Sequence, residues 1–161
     1  MKEKKTINGS TWDANLSEAV DLINSSNSFL FSGDIDPDSL GSMLSLSLYL
    51  NQLDKKVFLI IPEPLKANLS FFEKIIHYNS IRILRTQEDI DTVKDEIEAV
   101  IFCDTPNTKL VPFYPYIARC ILSRKPNVIE IDHHFGADSE ELTGFGIKLF
   151  RNANANTEII G

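Results

Sequence analysis

Apolar residues fall into short blocks along the chain, and five of these blocks are too short and too continuous for helices. They cover residues 29–31, 57–61, 81–84, 99–103 and 128–131, each bounded by turn-forming or charged residues. Runs of this length without polar alternation mark strands covered on both faces, as in a parallel sheet. Between them the period changes. Trp12, Leu16, Val20 and Ile23 recur at i, i+4, i+8 and i+11, which predicts an amphipathic helix with these four on its apolar stripe. Residues 40–53 are apolar on most sides through Met43, Leu44, Leu46, Leu48 and Leu50, and predict a deeply buried helix. Weaker helical patterns cover 68–77, 88–95 and 113–122, and Asn156-Thr157-Glu158 reads as the capped opening of another. Strand and helix alternate throughout, with no repeat, low-complexity tract or linker. The expectation is one α/β domain, a Rossmann-like parallel sheet of about five strands with helices on both faces.

Composition narrows the partners. A chain of 161 residues with 43% hydrophobic content and ten Phe suits a single core, and 24% charged residues is ordinary for a globular domain. The net charge of −7 supplies no broad cationic face, so duplex nucleic acid is not an expected partner. A small anionic substrate remains open if a local cation offsets the acidic background, and metal ions do this well. The N-terminal MKEKKTINGS is charged and lacks an apolar segment, and no stretch approaches the roughly 18 apolar residues of a membrane span. A cytoplasmic protein without a membrane anchor is expected. Cys103 and Cys120 have no CxxC spacing; Cys103 ends an apolar run and is expected to be a buried thiol.

Ligands of open parallel sheets bind beyond the carboxyl ends of the strands, which makes the polar residues there the ones to inspect. After the first block comes Ser32-Gly33-Asp34-Ile35-Asp36-Pro37-Asp38-Ser39-Leu40-Gly41-Ser42; after the fourth, Asp104-Thr105-Pro106-Asn107; after the fifth, Asp132-His133-His134-Phe135-Gly136. Taken singly these have plain readings: Asp38 or Ser39 capping the next helix, Asp36-Pro37 and Asp104 forming turns, the histidines filling surface. Taken together they place several carboxylates at one sheet edge, where mutual repulsion would drive some to bind protons unless cations intervene. Carboxylate oxygen and imidazole nitrogen suit manganese or magnesium. Asp36 and Asp38, two apart in an expected extended segment, could face the same side; Asp104 could bridge two metals, and the nitrogen of His133 favours manganese.

The sequence Asp132-His133-His134 after an apolar strand, with the upstream D-x-D-[SA]-x-G-S segment at 36–42 and Asp104-Thr105 after an intervening strand, resembles the DHH phosphoesterase superfamily. That group includes RecJ-type exonucleases, oligoribonucleases acting on very short RNA, cyclic di-AMP phosphodiesterases and family II pyrophosphatases. The motifs run in order from Phe29 to Ile160, and the closing Asn154-Ala155-Asn156-Thr157-Glu158-Ile159-Ile160 resembles the family stretch that opens its next helix. The resemblance implies that residues 1–161 are the N-terminal catalytic domain. It also implies two Mn2+ ions (or Mg2+), with Asp36 on one metal, Asp38 on the other, Asp104 on both and His133 as a further ligand. His134 would face the substrate phosphate, Asp132 would orient a histidine, and Gly41 and Ser42 would open a helix whose amides receive a phosphate oxygen. The implied reaction is two-metal hydrolysis, with an activated water attacking phosphorus in line. The implied substrate is small and phosphorylated: short RNA or a cyclic dinucleotide on motif spacing, with polyphosphate and pyrophosphate also within the family.

Two departures qualify this expectation. The family's first motif usually opens with a metal-binding His four residues before its first Asp; here that position is Ser32, and Asp34 is the nearest residue that could reach the vacated coordination position. The family also supplies a further metal-ligating Asp and then a glycine-rich substrate domain downstream of the stretch represented by these residues, so weak metal binding and slow turnover are expected of the chain alone. One rival reading is a catalytically impaired DHH-like domain that binds a nucleotide or regulates a partner. Another starts from Asp34-Ile35-Asp36, which resembles the nucleophile and acid pair of haloacid-dehalogenase phosphatases, but Asp38 stands where that family expects Thr or Val. Nothing in the sequence sets an oligomeric state.

Overall fold

A computed structural model of the chain describes residues 9–135 and 139–161. The segment MKEKKTIN and Gly136, both read in the sequence above, lie outside the described residues. Six parallel strands form one sheet: β1 (Ser28–Gly33), β2 (Lys56–Ile60), β3 (Arg82–Leu84), β4 (Ala99–Cys103), β5 (Asn127–Asp132) and β6 (Ile147–Phe150). Their spatial order is β3-β2-β1-β4-β5-β6. The helices are α1 (Gly9–Ser25), α2 (Pro37–Gln52), α3 (Ser70–Tyr78), α4 (Gln87–Asp91), α5 (Tyr114–Cys120) and α6 (Thr157–Ile160), with short 3-10 turns between. Among the described residues no helix is long and apolar enough to cross a membrane.

The continuous apolar runs arise because both sheet faces are covered. Phe29, Phe31, Leu59, Ile101, Cys103 and Ile131 pack on one face with Ala19 of α1, Leu40, Met43 and Leu50 of α2, and Ile76 of α3. Leu30, Phe58, Val100, Phe102 and Val128 pack on the other with Ile90 of α4 and Ile117 of α5. Fully buried Phe29, Phe31 and Phe102 each contribute roughly 2–3 kcal/mol of transfer free energy.

Three details differ from the sequence reading. The sixth strand went unread because it is a short edge strand carrying Lys148, whose Nζ lies 2.9 Å from the Glu130 carboxylate. Glu130 is buried inside β5, where it also accepts from Leu142 N, Thr143 N and the Thr143 hydroxyl, tying the segment before β6 to the sheet. Second, the inward face of α1 keeps only half of the expected stripe: Trp12 and Ile23 pack against the core with Leu22 and the buried Ala19, while Leu16 and Val20 are exposed. The helix lies against edge strand β6, where Asn15 Nδ2 donates to Lys148 O at 2.9 Å. Third, α2 starts earlier, at Pro37, with Asp36 as its N-cap.

From β1 the chain steps outward to β2 and β3, then returns to place β4 on the other side of β1. This reversal opens a crevice at the carboxyl ends of β1 and β4. The two strand ends come very close at Gly33, paired with Cys103, where a Cβ would overlap the Cys103 carbonyl oxygen and the Ser39 hydroxyl. Ser39 Oγ donates to that same carbonyl at 3.1 Å. Gly33→Ala is therefore expected to destabilise the protein by about 3 kcal/mol through overpacking. Gly144→Ala, with nothing within 4 Å of the added Cβ, is expected to be near neutral. Chemical denaturation of the two variants checks this, and equal midpoints would remove the close-approach argument.

Candidate metal centre

Three adjacent strands deliver the polar groups. β4 ends at Cys103, and the next residue, Asp104, adopts a left-handed backbone with φ 52° while its N–H donates to Ile131 O at 2.9 Å. A non-glycine residue in this region is strained, though Asp tolerates it better than most. The turn points the Asp104 carboxylate along the sheet edge instead of continuing the strand. β5 ends at Asp132, whose Oδ1 accepts from His133 N at 2.9 Å and faces His134 Nδ1 at 2.7 Å. From β1, Asp36 Oδ1 accepts from Asp38 N and Ser39 N, both at 2.9 Å, with Pro37 pre-setting the first turn of α2.

His133 Nδ1 lies 3.1 Å from Ala153 O. A carbonyl can only accept, so Nδ1 carries the proton and Nε2 of the neutral ring keeps its lone pair. That lone pair points at two carboxylates, Asp104 Oδ1 at 3.2 Å and Asp38 Oδ2 at 3.6 Å. Proximity here is not hydrogen bonding: Asp104 Oδ1 is buried without a hydrogen-bond partner, and so is Asp132 Oδ2. Acceptors facing acceptors in a buried site need a proton or a cation between them. Ligand atoms of Asp104, His133 and His134 lie within 4.8 Å of one another, a spacing that can hold a metal ion. The donor set of carboxylate oxygen and imidazole nitrogen fits a divalent cation.

Charge follows the same pattern. Burial, then the negative charges of Asp38 and Asp36, push the Asp104 carboxyl up to about 6, against the opposing effect of the two histidines. Burial alone would lower His134, but the hydrogen bond and charge of Asp132, with Asp104 and Asp36, leave it raised above its ordinary value. Burial drives the Cys103 thiol far upward, so it remains neutral.

Asp38 is bonded on both oxygens: Oδ2 accepts from Asn156 N at 2.6 Å and Oδ1 from Thr157 N at 3.1 Å, at the start of α6. It lies in the first turn of α2, not in an extended pair with Asp36, because the helix begins at Pro37. Asp36 is near enough to bias the charge of both Asp104 and His134. Asp34 turns its Oδ1 to Ile35 N at 2.7 Å and is not among the three residues brought to metal-binding spacing. Gly41 and Ser42 sit a turn inside α2, beyond its opening amides, since Leu40 N already bonds Asp36 O. Gly41 instead leaves room for Thr157, whose Cγ2 an added Cβ would meet at 3.2 Å, and the Ser42 hydroxyl is buried against Asn156. Sequence reasoning gave no role to Ala153 or Asn156; a backbone carbonyl and a buried amide leave no motif of their own.

Residues 28–156 match the family described as DHH family, N-terminal domain. No curated protein matches the chain. Among solved structures, an exopolyphosphatase-related protein from Bacteroides fragilis superposes with a TM-score of 0.69 over 98% of this chain at 21% identity. The chain spans 44% of that protein's length, and the likeness is one of fold.

The lifted Asp104 carboxyl sets a pH dependence for the metal-free protein. A carboxyl raised in the folded state stabilises below its ordinary value near 3.8, and that contribution is lost as pH rises through about 6. His134, also raised, acts in the same direction. The Asp104 contribution is thus expected to be lost between about pH 4 and pH 6, on the order of 3 kcal/mol in all, with the His134 loss following at higher pH. Asp104→Asn should flatten that slope and raise the pH 7 denaturation midpoint; an unchanged slope would show that the carboxylate does not carry the charge strain.

Proposed function

The chain belongs to the DHH family, N-terminal domain, and on that premise we propose that it is a metal-dependent phosphoesterase domain acting on a small phosphorylated substrate. The observation that carries this reading is the buried Asp104 oxygen without a hydrogen-bond partner, with the His133 lone pair aimed at it from 3.2 Å. Asp104 and His133 would hold a divalent cation, joined by Asp38 on the same side of His133 and by Asp36 nearby. The cation supplies positive charge against phosphate oxygens and makes water a usable nucleophile near neutral pH. Manganese is the ion we propose, on the nitrogen donor, and two ions are the expected complement given the number of carboxylates. Short RNA or a cyclic dinucleotide is the proposed substrate class, with polyphosphate the alternative suggested by the exopolyphosphatase-related protein of Bacteroides fragilis.

The chain's own residues divide the work. His133 is held by Ala153 O in the tautomer that presents Nε2 to the site. His134 is more exposed, its side chain 42% accessible, and its Nδ1 bond to Asp132 fixes the ring with Nε2 as the remaining polar atom. It can therefore donate to a phosphate oxygen or to a leaving oxygen. Its raised pKa keeps more of it protonated near neutral pH, which suits both tasks. The left-handed turn at Asp104 directs its carboxylate into the crevice, where Oδ1 is buried without a hydrogen-bond partner.

Ser32 favours a second reading, a nucleotide-binding or regulatory domain with impaired catalysis. It occupies the place of the family's usual first histidine, is fully buried, and its hydroxyl has no hydrogen-bond partner. One assay separates the two. With manganese present, the protein is expected to hydrolyse at least one of short RNA, cyclic di-AMP, polyphosphate and pyrophosphate. Asp104→Ala should reduce the rate about a hundredfold or more. Tight nucleotide binding with no turnover, in a protein that contains the whole family architecture, would favour the regulatory reading.

A further inference from the structure

We infer that Asn156 is the positioning residue of the metal centre, the group that holds Asp104, Asp38 and the end of β5 in the arrangement a cation needs; this rests on the metal-dependent reading above. Asn156 is fully buried and lies between β6 and α6, more than a hundred residues from α2. With its amide oriented to satisfy both ends, Nδ2 donates to Ile131 O at 3.2 Å, and Oδ1 accepts from Ser42 Oγ at 3.1 Å and from Asp104 N at 3.3 Å. Its backbone N–H donates to Asp38 Oδ2 at 2.6 Å. One residue thus touches the mounting of two cation-seeking carboxylates and the carbonyl that precedes Asp132.

The neighbours extend the pattern. Ala153 O holds His133 Nδ1 at 3.1 Å, and Thr157 N donates to the second oxygen of Asp38 at 3.1 Å. Within five residues, the turn leading into α6 contacts Asp38, Asp104 and His133, which come from α2, β4 and β5. None of these contacts occupies His133 Nε2 or Asp104 Oδ1, the two atoms facing each other across the site. The strain of the Asp104 backbone gives Asn156 a specific task. A left-handed Asp relaxes unless its surroundings hold it, and its N–H is shared between Ile131 O and Asn156 Oδ1. Without the amide, Asp104 has one restraint fewer and Ser42 loses its buried partner.

Metal-free wild type, Asn156→Ala and Asn156→Ser are titrated with manganese(II) and read by electron paramagnetic resonance, with thermal unfolding recorded for each. Ile121→Val, a buried change on the opposite sheet face, controls for simple loss of stability. The Asn156 variants are expected to bind manganese at least about tenfold more weakly while folded, and Ile121→Val to bind like wild type. Wild-type affinity in a folded Asn156 variant would overturn the inference and leave the metal-centre reading intact. Failure of wild type to bind manganese would overturn both. Should neither Asn156 variant fold, magnesium titration of 15N-labelled wild type carries the test: the Asn156 side-chain amide and the Asp104 N–H are expected to shift with one shared Kd. Absence of either shift would overturn the inference.

Discussion

Negative charge that the protein does not neutralise with its own cations governs this structure. Asp36, Asp38, Asp104 and Asp132 gather where three strands end, and none of them has a Lys or Arg among its ion-pair partners within the described residues. Elsewhere the chain pairs its buried or half-buried carboxylates in the ordinary way, Glu130 with Lys148 and Glu73 with Arg85. The contrast is chemical. A lysine in the crevice would complete a structural salt bridge and close the site to cations, whereas the only ion-pair partners these carboxylates have among the described residues are the imidazoles of His133 and His134. The raised Asp104 carboxyl is the measure of that deficit in the metal-free protein.

The fold sustains such a site because everything around it is over-determined. β1, β4 and β5 are buried along nearly their whole length, so the strand ends move little relative to one another. Ser39 locks the start of α2 to the end of β4, and Gly33 lets the two strand ends approach. Glu130, two residues before Asp132, secures β5 from the other face through Thr143 and Lys148. Strain of the kind stored at Asp104 survives only where surrounding packing is firm, and here the firmness comes from the sheet.

How much of this was legible in the sequence follows from how local each cause is. Five strands could be read because burial on both faces leaves near-continuous apolar runs, interrupted only by Arg82 and Glu130. β6 could not, since its Lys148 is there for a distant carboxylate. Leu16 and Val20 obeyed helical periodicity and still ended exposed, while Trp12 and Ile23 of the same stripe pack against the core around the buried Ala19. The helix start at Pro37 was within reach, as Asp-Pro is a good cap followed by a good first residue, yet Asp38 and Ser39 offered equally plausible caps. The convergence of Asp104 with His133 and His134 was visible from their places after strands four and five. The contributions of Ala153 and Asn156 were not, because a backbone carbonyl and a single amide acquire meaning only when the chain returns to the site.

Asp38 shows why structural and cation-binding duties need not exclude one another. Each carboxylate oxygen offers two lone-pair directions, and the amides of Asn156 and Thr157 take one on each. The remaining directions are fixed in space by those same bonds, and Oδ2 lies 3.6 Å from the bare nitrogen of His133. His133 repeats the logic with two ring nitrogens: Ala153 O takes the protonated one, which determines both the tautomer and the aim of the other. Asp132 does it for His134. For Asp38 and His133 a hydrogen bond to the backbone of the turn leading into α6 holds the direction of the atom that faces the crevice, and for His133 leaves that atom without a protein donor. Orientation without satisfaction is what distinguishes this cluster from a buried polar network that merely stabilises a fold, since a network selected for stability alone would have closed those atoms with donors.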